Sequence, residues 1–184
     1  YTGDGASGLY LWGGQIEKNN TFASPYIPTT SAAATRNGAR VQALSSALNA
    51  NQGWYAIRIR MGRSSSASPS AQTTFGWYTN GNNYIGQQYN GAQTRWETIR
   101  GAGVTIATAS STLTYTGGEY ATVISTWTST QVGISVNGSA FTTTAQSVIP
   151  TGLPNTFDIG SLTNSTNLFN GDVLWTVGGT GTLA

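Results

Sequence analysis

The residues able to transfer protons or attack a substrate are few in this chain. Among its 184 residues there is no His and no Cys, and the acidic residues number six. That inventory excludes His-based triads, thiol nucleophiles and the usual zinc ligand sets. The carboxylates are Asp4, Glu17, Glu97, Glu119, Asp158 and Asp172. Glycoside hydrolysis needs two of them flanking one bond, and no two lie close enough in sequence to share a strand face. An enzyme would have to gather its acids from distant strands, so the chain reads as non-catalytic, with no catalytic residue assigned. No paired Asp/Asn run suits calcium either. No metal and no other cofactor is expected.

What remains is binding. An aromatic ring offers a flat apolar face to the C–H side of a sugar, while Asn, Gln and Arg beside it exchange hydrogen bonds with hydroxyls. Trp77, Tyr78, Asn80, Asn82, Asn83, Tyr84, Gln87, Tyr89, Arg95 and Trp96 crowd into one pair of hairpins. From these and the strand before them, the carbohydrate-binding candidates are Trp54, Tyr78, Asn80, Asn82, Asn83, Tyr89, Arg95 and Trp96. One parity of every strand must face the core, however, so about half of the aromatics in these hairpins are ordinary core residues. Phe75 and Trp77 share the core face in one register. Trp54, Tyr78, Tyr89 and Trp96 are the aromatics expected at the surface, and Trp127 and Trp175 are expected in the core or at the sheet interface. Arg58 and Arg60 share one strand face and can grip an acidic sugar; the commoner arrangement is a solvated face with their stems packed on neighbouring aromatics.

Strands must position these residues. The clearest are in 119–141 (EYATVISTWTSTQVGISVNGSAF), where period-two alternation is rich in β-branched residues. A polar turn at 128–131 and a second at Asn137-Gly138 divide it into a three-strand meander that ends in 140–144. Residues 54–61 (WYAIRIRM) alternate cleanly, with Tyr55, Ile57, Ile59 and Met61 on the apolar face. Further strands are expected at 75–79, 84–89, 93–100, 104–107, 113–115, 156–160 and 168–177. Residues 41–50 are the one place a turn or helical stub fits, since Val41, Leu44 and Leu48 stand at roughly helical spacing. Short strands with turn chemistry between them predict an all-β antiparallel sandwich. Before it, residues 9–12 (LYLW) form a short apolar strand, and 22–36 is a connector made irregular by Pro25 and Pro28.

Composition bounds the function. Charged residues are 8% of the chain, against about a quarter in an ordinary globular protein, while aromatics reach 11%. A neutral, hydroxyl- and amide-rich surface with many aromatics is the common composition of extracellular and virion-surface β proteins. The net charge is +2 and the basic residues are scattered, which leaves no electrostatic footprint for nucleic acid. No apolar run reaches transmembrane length, so no membrane insertion is expected. A chain that begins on Tyr1 reads as a fragment or a processed form.

Two stretches resemble known families. WGGQIE, ASPYIPT and an Ala-rich run closing on Thr35-Arg36 are similar to a segment of bacteriophage virion proteins that joins one lectin-like sandwich to the next. Residues 1–36 are then the end of a preceding β domain, and 9–12 must find a new partner sheet at the edge of the following sandwich or on a neighbouring chain. Residues 37–184 form the second domain. There Val136-Asn137-Gly138, Ile159-Gly160 and Phe169-Asn170-Gly171 resemble, in order and spacing, the laminin-G/concanavalin A-like jelly-roll sandwich in its phage structural branch. The resemblance implies a non-catalytic domain of a tail fibre, spike or decoration protein on the virion surface. Its partners would be cell-surface glycans and other virion proteins, and fibres of this kind are often trimeric. A purely architectural module, or a carbohydrate-binding module of a secreted bacterial enzyme, are the alternatives.

Overall fold

The computed structural model describes residues 41–67, 71–103, 105–162 and 167–183. The expected N-terminal strand and connector, 1–36, lie outside the described residues. The remainder is built from eleven strands. They are β1 (Val41–Leu44), β2 (Gly53–Met61), β3 (Gln72–Asn80), β4 (Asn83–Asn90), β5 (Arg95–Ala102), β6 (Thr105–Thr112), β7 (Tyr120–Trp127), β8 (Gln131–Val136), β9 (Thr142–Ala145), β10 (Thr156–Ile159) and β11 (Gly171–Thr180). Two single-turn 3₁₀ helices, Ser45–Ala47 and Ser65–Ala67, are the only helical segments described.

All strand pairings are antiparallel and form two sheets, β1-β10-β3-β4-β5-β6 and β11-β2-β7-β8-β9. The meander appears as expected, as β7, β8 and β9. Its second turn uses positive φ at Asn137 (52°) and Gly138 (79°), a conformation that Asn and Gly tolerate best. The expected helical stub at 41–50 is corrected. Val41–Leu44 is an edge strand paired with β10, and only Ser45–Ala47 makes a helical turn. The apolar spacing of Val41, Leu44 and Leu48 was too short to pay for helix nucleation against an available strand partner. Residues 113–115, expected as a strand, are loop, and the strand before them extends to Thr112.

The core lies between the sheets. Tyr55, Ile57, Ile59 and Met61 of β2 and Ala121, Val123 and Trp127 of β7 face Phe75, Trp77, Ile85, Tyr89 and Trp96 of the opposite sheet. Phe75 stacks on Tyr55, ring centroids 4.3 Å apart. Polar groups cross this interior as well. Gln87 Nε2 donates to Ser125 Oγ at 2.8 Å, Thr98 Oγ1 donates to the same oxygen at 2.6 Å, and Thr74 Oγ1 donates to Gln87 Oε1 at 2.7 Å. Arg100, fully buried on β5, donates to the carbonyl oxygens of Thr128 and Gln146. Burial opposes its charge and pushes its pKa down.

Candidate glycan-binding face

Strand parity decides which hairpin side chains reach solvent. On β4, Ile85, Gln87 and Tyr89 point inward, so Tyr84, Gln88 and Asn90 point outward. Opposite them on β5, register pairs Tyr84 with Gly101, Gln88 with Glu97, and Asn90 with Arg95. On β3, Tyr78 lies opposite Tyr84. The outer face of the six-stranded sheet therefore has aromatic rings at one end and a polar cluster at the other.

At the aromatic end the Tyr78 and Tyr84 rings sit 5.8 Å apart at a tilt of 44°. The Tyr84 ring lies close over Gly101 of β5, where a Cβ would collide with it. Only glycine lets the phenol settle there. Burial, then the nearby Tyr78 and Glu97, raises the Tyr84 pKa above the ordinary tyrosine value. Towards the other end, Ile99 lies half-buried opposite Gly86 and Thr108, and Leu162 covers Gly86 and Gly76 from the loop after β10.

The polar cluster is organised by Glu97. Its Oε2 accepts from Gln88 Nε2 at 2.8 Å, and its Oε1 accepts from Asn90 Nδ2 at 3.1 Å and Arg95 Nε at 2.7 Å. The carboxylate side chain is 4% exposed, while that of Arg95 is 34% exposed. Charge-assisted bonds of this kind are the strong ones, so the cluster is pre-ordered. Its two charges cancel. The amide oxygens of Gln88 and Asn90 and the outer guanidinium nitrogens of Arg95 remain to meet hydroxyl groups.

The candidate residues divide accordingly. Tyr78 and Arg95 belong to this face. Asn80, Asn82 and Asn83 form its end at the β3–β4 turn, where Asn80 Oδ1 accepts from Asn82 N (2.9 Å) and Asn83 Oδ1 accepts from Thr151 N (3.1 Å). Arg95, opposite Asn90, stands about 20 Å from that turn at ~3.3 Å per residue along β4. Tyr89 and Trp96 are corrections, both 0% exposed. They are directly opposite each other across β4 and β5, so one parity sends both inward. Tyr89 packs edge-on against Trp96 and Tyr115, and its hydroxyl donates to Leu113 O at 3.2 Å. Gln87 is likewise core. Trp54 is half-buried on the outer face of the other sheet, lying over Gly179, and is not brought to this face.

The two tryptophans expected in the core or at the sheet interface part company. Trp127 is buried as expected, with Nε1 donating to Asn49 O at 2.7 Å. Trp175 is instead 44% exposed, because β11 is the end strand of its sheet among the described residues and the ring lies on the outer side opposite Arg58. Of the two arginines of β2, Arg58 is exposed beside an aromatic ring, as in the commoner reading, whereas Arg60 is held in an ion pair. Arg58 lies over the Tyr120 ring, 5.5 Å from its centroid, and Arg60 pairs with Asp172.

Glu97, Gln88, Asn90 and Tyr84 lie on this face and were absent from the candidate set. The available signal was parity: once Tyr89 is core, its neighbours Gln88 and Asn90 must be outside. Among the described residues no group of three acidic, His or Cys side chains converges to hold a metal ion. No helix there is long and apolar enough to cross a membrane.

No family model matches the chain. No curated protein matches it either. Solved structures do. Domain 4 of AbnA, an extracellular arabinanase of Geobacillus stearothermophilus, is similar with a TM-score of 0.60 at 16% identity, over 73% of this chain and 63% of that one. The Ruminococcus gnavus IT-sialidase CBM40 gives 0.57 at 16% identity, over 73% and 78%. Domains LG4-5 of the mouse laminin alpha1 chain give 0.55 at 12% identity, over 79% of this chain but only 37% of the laminin chain. Identities this low carry the fold and nothing more. With its two antiparallel sheets and these neighbours, the chain folds as a jelly-roll β-sandwich of the concanavalin A-like lectin type.

Proposed function

We propose that this chain is a non-catalytic glycan-binding domain, exposed outside the cell on a phage virion, and that it holds a neutral sugar chain along the outer face of its six-stranded sheet. The carrying observation is the alignment of the Tyr78–Tyr84 pair with the Gln88, Asn90, Arg95 and Glu97 cluster on that face. Rings supply a stacking surface, amides and guanidinium supply hydroxyl partners, and cancelled charges favour a neutral ligand over an acidic one. Two structural neighbours are recorded with sugars, the arabinanase domain with arabinotriose and the sialidase module with α2,3-sialyllactose. The virion setting rests on the sequence resemblance of 8–36 and of the later triplets.

The acids support a non-catalytic role. Glu97 is locked by three donors, Asp172 pairs with Arg60, Glu119 accepts from Thr116 N, and Asp158 is buried on β10. These four stand on separate strands or loops, and Asp4 and Glu17 lie outside the described residues.

The test is binding of the folded domain to a panel of neutral and acidic polysaccharides and to bacterial cells, beside Tyr84→Ala and Arg95→Ala. Saturable binding to a neutral glycan, weakened at least about tenfold (~1.4 kcal/mol) in both variants, is expected. No binding by any glycan, or binding that both variants retain, overturns the site. One observation favours a second, architectural reading: the apolar side chains left uncovered along β11 suit contact with other virion proteins, or with further copies in a trimer.

A further inference from the structure

The outer face of the five-stranded sheet carries aromatic rings that the neutral-sugar site does not use. On β2, Tyr55, Ile57, Ile59 and Met61 point into the core, so Trp54, Arg58 and Arg60 point outward. Residues directly opposite one another on antiparallel strands share a face. Register therefore sets Trp175 of β11 and Thr122 of β7 on either side of Arg58, with Asp172 and Tyr120 on either side of Arg60. Trp175 and Tyr120 are exposed, and Trp54 is half-buried over Gly179.

The two arginines of this face differ in what holds them. Arg60 Nε donates to Asp172 Oδ2 at 2.9 Å, and the two charges cancel. Arg58 instead meets a hydroxyl and a ring. Its Nη1 donates to Thr122 Oγ1 at 3.0 Å, and its guanidinium carbon lies 5.5 Å from the Tyr120 ring centroid. Arg58 is thus the uncancelled charge among the outward side chains of β11, β2 and β7.

Both contacts hold a long side chain in place, which reduces the ordering cost of using it. The bond to Thr122 occupies Nη1 and does not use the Nε–Nη2 edge of the guanidinium. Such an edge suits a carboxylate, which accepts two parallel N–H bonds from it. A carboxylate seated there has the Trp175 ring one strand away, at the ~4.8 Å strand spacing. That ring can stack on the C–H face of the sugar that bears the acid. Four residues back along β2, about 13 Å at ~3.3 Å per residue, Trp54 offers a second ring to a later unit of the same chain.

We propose that the outer face of the five-stranded sheet is a second glycan site, for a sugar bearing a carboxylate. Arg58 grips the carboxylate, Trp175 stacks on the sugar ring, and Trp54 meets a further unit of the chain. The site lies across the core from the neutral-sugar face, on the other sheet, so either can be lost without the other.

The test is titration of the full chain with an oligogalacturonate, an oligosialate and the carboxyl-reduced form of each, followed by calorimetry. Arg58→Met and Trp175→Ala are the variants, with melting temperatures as the check on folding. Expected is saturable binding of at least one acidic oligomer, weakened about tenfold or more in both variants and by added salt in the parent chain. Which oligomer binds distinguishes a uronate from a sialate. Binding of a neutral glycan should persist in Arg58→Met. Absence of binding to both acidic oligomers overturns the proposal and leaves Trp175 to contacts with protein. Equal affinity for the carboxyl-reduced oligomer overturns it, as does affinity that folded Arg58→Met and Trp175→Ala retain. A loss of acid binding in Tyr84→Ala as large as that in Arg58→Met would assign the acid to the other sheet and overturn it too.

Discussion

Gln87 and Ser125 join the two sheets through the middle of the core: Gln87 Nε2 on β4 donates to Ser125 Oγ on β7 at 2.8 Å. Ser125 also accepts from Thr98, and Gln87 also accepts from Thr74, so four buried polar side chains satisfy one another between walls of aromatic rings. Such a network fixes the sheets' relative register because a slip would strand its donors in a dry interior.

Gln87→Ala should therefore destabilise the fold by about 1–3 kcal/mol, the cost of leaving Ser125 and Thr74 without their partner, plus a cavity contribution. Ser125→Ala should cost less alone. A double-mutant cycle by urea unfolding is expected to show non-additivity, since both substitutions break the same link. Additive losses would mean that the network is not a unit.

Trp96 and Tyr84, both aromatics of the same hairpins, should separate stability from binding. Trp96→Ala removes a fully buried side chain and is expected to cost about 3–5 kcal/mol. Tyr84→Ala removes a half-buried ring on the outer face and should lower stability far less while abolishing stacking. Thermal melts set beside glycan titrations of the two variants check this.

Glu97→Gln keeps the shape of the cluster but removes its negative charge, leaving Arg95 uncompensated. The face then becomes positive. Affinity for uronate- or sialate-bearing glycans should rise, and that gain should fade with added salt as screening sets in. Titrations at low and high ionic strength read it directly; unchanged preference for neutral sugars in the variant would show that the pair does not set selectivity.

Alkaline pH should loosen the fold. Burial raises the pKa of Tyr55, Tyr84 and Tyr89 above the ordinary tyrosine value. Above about pH 10 the unfolded chain loses these phenolic protons while the folded chain keeps them. The folded state then binds more protons than the unfolded one, so the stability contribution is whole below that pH and is lost as pH rises beyond it. Melting temperatures should fall from about pH 9 to about pH 11, and tyrosinate absorbance should lag behind that of the denatured chain.

Much of this was legible in the residues themselves. Alternation in 54–61 placed Tyr55, Ile57, Ile59 and Met61 inside without help from any neighbour, because a period of two is a local property of the chain. Asn137-Gly138 likewise announced its turn through a backbone conformation few other residues accept. The inventory of chemistry, with no His, no Cys and scattered acids, was complete before folding.

The location of a side chain was a different matter where both parities were aromatic. In the β3–β5 hairpins Tyr78, Tyr84, Tyr89 and Trp96 are all compatible with either face. Only pairing across strands, which puts Tyr89 opposite Trp96 and both over the second sheet, decided which rings were core. Trp175 went the other way because β11 ends its sheet among the described strands, a position that depends on strand order and not on local pattern. The Glu97 cluster also waited on tertiary structure, since Gln88 and Arg95 meet that carboxylate only through the register of β4 on β5. Local sequence determines which residues form strands; the partner strand, selected by the burial of whole sheets, determines what each residue touches.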